Sequence, residues 1–355
     1  MEGFSLVACN WILACYAIHL SYGNTIYCRR IKAGTIKLYV LAAASLIAQF
    51  SANKIDPRRD TGTSDKFAHC LDAVFKELSR YEKVPNRREP LTMEMIEALY
   101  QRNQRDGLPP FHRNVQLYHW MVVGLAIGVR RVEWCQEAAR NGIPPDISQP
   151  QIDDRDNLPR AFCLCDIECS SITGARIPLG EAAFTATSLV NECDIEWRFQ
   201  KNGENGEKKK ISRSTTIPPP KHCRVESLLA IVHCRLTLAP SNHNIPLAVY
   251  QNDCNVTTYI TNWDVTGMLR SLAAEVYQLN PNSAKDKEHL KRWSSHSIRV
   301  GACVLLHAMG FSPTDIKFIL RWKSDAFMTY LRNLSFLSRR HADAIDRAAA
   351  IPHLV

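Results

Sequence analysis

Apolar residues recur with a helical period through residues 1–82. After Gly34-Thr35, a predicted helix start, Ile36, Tyr39, Val40, Ala43, Ile47 and Phe50 fall on one face. Phe67, Leu71, Val74, Phe75 and Leu78 mark the next helix, beyond the loop Asp56-Pro57-Arg58-Arg59-Asp60. Glu82-Lys83-Val84-Pro85-Asn86-Arg87-Arg88-Glu89-Pro90 then reads as a basic, proline-bounded linker. Leu91-Thr92 caps a new helical stretch, expected over 93–150 and including the apolar run Trp120 to Ile127. A strand is expected around Phe162 to Ile167, and 136–192 otherwise carries no readable pattern.

The period changes to two further on. Ile195, Trp197 and Phe199 alternate with Glu196, Arg198 and Gln200, which predicts a half-buried strand. Asn202-Gly203 and Asn205-Gly206 are turn signals, and Lys208 to Ile217 can return as the partner strand. Helical patterning resumes near the C-terminus. Lys285-Asp286-Lys287-Glu288 is a solvated face, and Val300 to Met309 is an apolar helix closed by Gly310. Ser312-Pro313-Thr314-Asp315 is a capping box with proline at the first helical position, starting the helix Ile316 to Leu320. Ser324-Asp325 caps a further short helix carrying Tyr330. In the tail from Ser338 to Val355, Ala342, Ile345 and Ala349 share a helical face that either folds back or docks on a neighbouring subunit. The expected fold class is mainly α with a small β-sheet. Residues 1–82 form a helical domain, 83–91 a linker, and 92–355 an α+β domain.

Composition narrows the function classes. The 355 residues suffice for two domains, and a net charge of +9 favours a polyanionic partner. Thirteen scattered cysteines, an odd number, argue against a disulfide framework and for a reducing, intracellular setting. Cys163, Cys165 and Cys169 lack zinc-finger spacing, and neither metal nor cofactor is expected. Met1-Glu2 has no basic region of a signal peptide. The apolar stretch Phe4 to Leu20 is interrupted by Asn10 and His19, and Tyr39 to Phe50 is short. Both are expected to be buried helices, with no membrane association.

The candidate chemistry lies in His296-Ser297-Ile298-Arg299-Val300-Gly301-Ala302, Arg321-Trp322-Lys323-Ser324-Asp325 and Tyr330-Leu331-Arg332-Asn333. Arginine's planar fork fits two phosphate oxygens, histidine moves protons near neutral pH, and a phenol can attack covalently. A second His-x-x-Arg, His289 to Arg292, sits in the charged run and reads as solvated surface. Upstream, Gly128-Val129-Arg130-Arg131-Val132-Glu133 follows an apolar helix. Arg130 and Glu133 are three apart, so the carboxylate can orient the guanidinium or His296. Arg131 points elsewhere and is the alternative arginine.

These blocks resemble the tyrosine recombinases, the phage-integrase and Cre-like family. The resemblance implies an N-terminal core-binding domain and a catalytic domain that close around double-stranded DNA as a C-shaped clamp. It implies catalysis by Arg130, Glu133, Lys201, His296, Arg299, Trp322 and Tyr330, with Lys208, Lys209 and Lys210 as competitors for the hairpin lysine. It implies DNA contacts from Lys32, Thr35, Lys37, Arg87, Arg88 and Arg131. The expected partner is a duplex with an inverted-repeat-like target, on which the protein assembles as a dimer or tetramer. A 3′-phosphotyrosyl link would preserve the phosphodiester energy without ATP or metal. Arg321 stands where phage and bacterial members usually have glycine, and the Trp322-to-Tyr330 spacing is one shorter than usual there. Both features look more like eukaryotic mobile-element recombinases of the Crypton and DIRS type, which would place the chain in a nucleus. A type IB topoisomerase-like enzyme and a domesticated, non-catalytic DNA-binding protein are the other readings.

Overall fold

The computed structural model describes residues 5–23, 30–50, 56–59, 67–82, 87–139, 141–152, 158–200, 205–217, 220–240 and 244–331. The chain divides into two units, Met1–Asn86 and Arg87–Val355. In the first, α1 (Leu6–Ser21), α2 (Ala33–Phe50) and α3 (His69–Arg80) pack around Leu13, Ala17, Ile36, Val40, Leu71 and Phe75. Ser5 caps α1 by accepting from the Ala8 N–H. The apolar run expected to be too short for a membrane belongs to an 18-residue helix, α2, which has the length and composition of a span. Contrary to the expected buried helix, only Ala33, Ile36, Val40 and Ala44 of it are buried, with Ile36, Val40 and Ala44 in the core of the three helices, and Tyr39, Ile47 and Phe50 of the periodic face are exposed.

The second unit is built around α5 (Arg113–Ile127), which is buried along most of its length between α4 (Met93–Arg105), α8 (Arg224–Leu238) and α11 (Ser297–Ala308). After α6 (Arg131–Trp134), a four-stranded antiparallel sheet takes the order β2-β1-β3-β4. Its strands are β1 (Ile167–Ser170), β2 (Arg176–Ile177), β3 (Glu192–Trp197) and β4 (Glu207–Ser212), with α7 (Leu179–Phe184) between β2 and β3. A two-stranded ribbon, β5 (Val249–Gln251) and β6 (Thr257–Tyr259), leads to α9 (Asn262–Val276) and α10 (Ala284–Leu290). Then α11 and α12 (Pro313–Leu320) precede a single 3-10 turn, Asp325–Thr329, that ends at Tyr330. The fold is mainly helical with a small antiparallel sheet.

Three expectations need correction. The helical stretch stops at Trp134, because Asn141-Gly142 and Pro144-Pro145 break any continuation into turns. The strand expected over 162–167 begins only at Ile167, since Asp166 accepts from the Cys163 N–H (2.7 Å) and holds Leu164–Asp166 in a 3-10 turn. β3 ends at Trp197, leaving Phe199 beyond the strand, and β4 ends at Ser212.

Residues 87–91 are hydrogen-bonded into the second unit. The Leu91 N–H donates to Ser297 O (2.9 Å), the Glu89 N–H to Arg292 O (3.3 Å), and the Trp293 indole to Pro90 O (3.2 Å). Gly301 makes this possible: a Cβ there would strike the Leu91 carbonyl. A glycine on α11 thus lets this segment lie directly against the helix that carries His296 and Arg299.

Candidate active site

Three segments far apart in sequence meet in one cavity of about 550 Å³, walled by Arg130, Arg131, His296, Arg299, Arg321, Trp322 and Tyr330. Local structure places each of them. Gly128 ends α5 in the left-handed conformation (φ 60°), with its N–H on Gly124 O (2.8 Å). That turn directs its carbonyl to the Arg299 guanidinium. Arg130 comes next as the N-cap of α6, which is pinned by stacking of Trp134 on Trp120 (centroids 4.9 Å apart). The Arg130–Glu133 pair therefore forms around a helix start and not along a helix face. The Arg130 N–H donates to Glu133 Oε2 (2.7 Å) and Nη1 to Oε1 (2.8 Å).

His296 is the N-cap of α11, and Arg299 lies one turn on, 2 % exposed. Its guanidinium donates to the carbonyls of Gly128, Leu320 and Arg321, and its Cζ lies 4.7 Å from the Trp322 ring centroid. The capping box Ser312–Asp315 starts α12 as expected. That helix ends at Arg321, whose φ of 55° is left-handed. The 3-10 turn then carries Tyr330 back to His296, with its hydroxyl 2.9 Å from His296 Nε2. Trp322 packs beside Tyr330 (centroids 5.9 Å), and its buried indole N–H has no hydrogen-bond partner among the described residues.

Electrostatics sort these groups into roles. Burial lowers the His296 pKa from 6.5, reinforced by Arg299, Arg88 and Arg130, so the imidazole is neutral at pH 7 and can accept a proton. Burial raises the Tyr330 pKa above 10, against the pull of Arg299, so the phenol keeps its proton until a base removes it. Burial, then Arg130, pushes Arg299 down to about 9, which leaves it charged at neutral pH. Burial alone would raise the Glu133 pKa. Arg321, the Arg130 N–H and the Arg130 charge outweigh it, and the carboxylate stays ionised. Glu133 serves two arginines and makes no described contact with His296, since Arg321 Nη2 donates to its Oε2 (3.2 Å).

Arg130, Glu133, His296, Arg299, Trp322 and Tyr330, chosen from sequence, all converge here. Lys201 lies outside the described residues, as does the tail face of Ala342, Ile345 and Ala349. Of the competing lysines, Lys208 pairs with Glu168 and Glu196 (both 3.5 Å) and Lys210 with Glu192 (2.8 Å) on one face of β4. Lys209 takes the opposite face, with its ammonium 4.8 Å from the Phe318 ring centroid and no ion pair among the described residues. Burial lowers its pKa from 10.5, with Arg321 adding to the effect against Glu207. Arg131 sits at the cavity rim, paired with Glu137 (3.1 Å). Arg88 donates to Lys291 O (2.7 Å), and Arg87 is exposed. In the first unit, Lys32 is exposed and precedes α2, and Thr35 lies in its first turn. Lys37 is turned onto the rings of Phe67 and Phe75 (4.9 and 5.5 Å), so its charge is partly spent within its own unit.

Sequence reasoning missed the role of Arg321. Its guanidinium stacks 3.6 Å from the Trp197 ring centroid and binds Glu133, and its carbonyl receives Arg130 Nη2 (3.4 Å). The available signal was its place beside Trp322.

Neither a known family pattern nor a curated protein matches the sequence. Among solved structures, the chain is similar to the Tn1549 transposon integrase in complex with transposon right end DNA (14 % identity, TM-score 0.46, 99 % of this chain and 87 % of that one). It is also similar to the XerA recombinase (13 %, TM-score 0.39, 98 % and 94 %). A third similar structure is the XerH site-specific recombinase bound to difH substrate (11 %, TM-score 0.40, 99 % and 72 %). Likeness at this level leaves the function to be read from the residues of the cavity.

Proposed function

We propose that this chain is a tyrosine recombinase that breaks and rejoins DNA strands through a 3′-phosphotyrosyl intermediate, as the integrase of a mobile element. The observation that carries the reading is the Tyr330 hydroxyl, 2.9 Å from a neutral, half-buried His296 in a cavity lined by arginines. A phenol with a raised pKa is a poor nucleophile until a positioned base takes its proton, and His296 Nε2 is that base.

In the reaction, the Tyr330 oxygen attacks the scissile phosphorus as its proton passes to His296. The bond from phosphorus to the 5′ oxygen breaks, and that oxygen leaves as a hydroxyl after receiving a proton. Arg130, Arg299 and the Trp322 indole N–H face the non-bridging oxygens, where charge grows in the transition state. A hairpin lysine supplies the leaving-group proton. Lys209 suits that task, with no ion pair among the described residues and a lowered pKa, and Lys201 is the competing group. A 5′ hydroxyl of a second strand then attacks the phosphotyrosine, regenerating the phenol and sealing the DNA. Duplex DNA is the substrate, and strand exchange between two duplexes requires several copies of the chain assembled on them.

The test uses a pool of nicked duplexes incubated with the protein in EDTA. Covalent protein–DNA adducts are expected, abolished by Tyr330→Phe, with sequencing of the trapped strands giving the target. A protein that retains DNA but forms no adduct would instead be a binding protein.

A further inference from the structure

Arg321 is anomalous on three counts. It is a non-glycine residue with φ 55°, at a position where a left-handed backbone favours glycine. Its side chain is 1 % exposed, yet its Nε and Nη1 have no hydrogen-bond partner among the described residues. It also borders both the candidate active site and a second cavity of about 710 Å³ between the end of the β3–β4 hairpin and α12. A strained backbone position holding a buried, under-satisfied charge is retained against its cost only where the arrangement is used.

Its neighbours show the use. Glu133 has two oxygens: Arg130 holds Oε1 and Arg321 holds Oε2. With Arg130 as its sole partner, Glu133 would neutralise it, and Arg299 would be the one uncompensated cation of the cluster. With Arg321 present, three guanidiniums face one carboxylate, and the cluster carries +2 in place of +1. The Trp197 ring beneath Arg321 holds the guanidinium plane without consuming a donor. We infer that Arg321 is a positioning residue for the anion site, sharing Glu133 so that Arg130 keeps its charge for a phosphate. A pentacovalent phosphorus gathers two negative charges where the diester had one, and a +2 cluster matches the former. The anion's identity as a DNA phosphate rests on the proposed function; the extra buried charge does not.

The experiment compares full-length wild type with Arg321→Gln, Arg321→Lys and Arg321→Gly, with melting curves as the check on folding. Glycine suits the backbone, glutamine removes the charge at similar size, and lysine keeps the charge without the fork. Inorganic phosphate, titrated calorimetrically, is expected to bind Arg321→Gln about tenfold more weakly or worse, and Arg321→Lys close to wild type. Equal phosphate affinity for the Gln and Lys proteins overturns the inference. On the trapped target duplex, Arg321→Gln should slow adduct formation on the order of 100-fold. Most of that loss should vanish on a methylphosphonate duplex, whose scissile group carries one charge fewer. An equal loss on both duplexes would mark Arg321 as merely structural and also overturn the inference. If wild type forms no adduct on any duplex, the recombinase reading fails, while the phosphate titration still decides the role of Arg321.

Discussion

At the level of single residues, the proposed proton transfer rests on two opposed shifts over one hydrogen bond. Burial makes His296 a weaker base and Tyr330 a weaker acid, so both are neutral near pH 7. These shifts set the sign of the pH dependence. His296 must be neutral to accept, and its pKa lies below 6.5, so adduct formation should fall only as pH drops beneath that value. A pH–rate profile whose acid limb is centred above 6.5 would remove His296 from the role of base. Most of this site was legible in sequence, because His296 and Arg299 are one helical turn apart and the cap at Ser312 fixes the phase of the helix leading to Trp322. Arg321 was not. Its importance comes from a carboxylate nearly two hundred positions earlier, and no local pattern reports that pairing.

Among the elements, the β3–β4 hairpin sorts its lysines by face. Glu207, Lys209 and Ile211 share one face of β4, whereas Lys208 and Lys210 are tied to carboxylates on the other. Three consecutive lysines look alike in sequence. Only the registry with Ile211, which is buried, tells them apart, and the period-two rule could have read it. Lys209→Ala is expected to slow adduct formation 10²–10⁴-fold, roughly the value of a general acid. The loss should be recovered when sulfur replaces the 5′ leaving oxygen, because a thiolate departs without a proton. Recovery in Lys201→Ala and not in Lys209→Ala would move the role to Lys201. The start of β1 is hidden from sequence for a related reason. Phe162 and Leu164 are buried as strand residues would be, but the Asp166 carboxylate curls the backbone into a turn before pairing begins.

For the whole molecule, the excess of 44 basic over 35 acidic residues is a field that attracts polyanions before any specific contact forms. DNA affinity should therefore fall linearly with the logarithm of salt concentration. Arg131→Ala, which removes one guanidinium at the cavity rim, should lower that slope by about one unit. An unchanged slope would mean that Arg131 stays with Glu137 when DNA is bound. The boundary between the two units falls after Asn86, inside the basic, proline-bounded segment. Its last residues look like free linker in sequence and are not, because hydrogen bonds from Glu89 and Leu91 to residues around 292–297 connect positions about two hundred apart.

That same long reach also sets the order in which the cavity is completed. A ribosome releases Leu91, Arg130 and Glu133 long before it makes the helix that Leu91 supports, the carbonyls that hold Arg299, or Tyr330 itself. On the proposed mechanism, a chain still being synthesised lacks both the completed arginine cluster and its nucleophile, and one stopped short of Tyr330 could not cut beside a phosphate. On that mechanism, strand breakage waits until synthesis has passed residue 330, a safeguard written into the order of the residues.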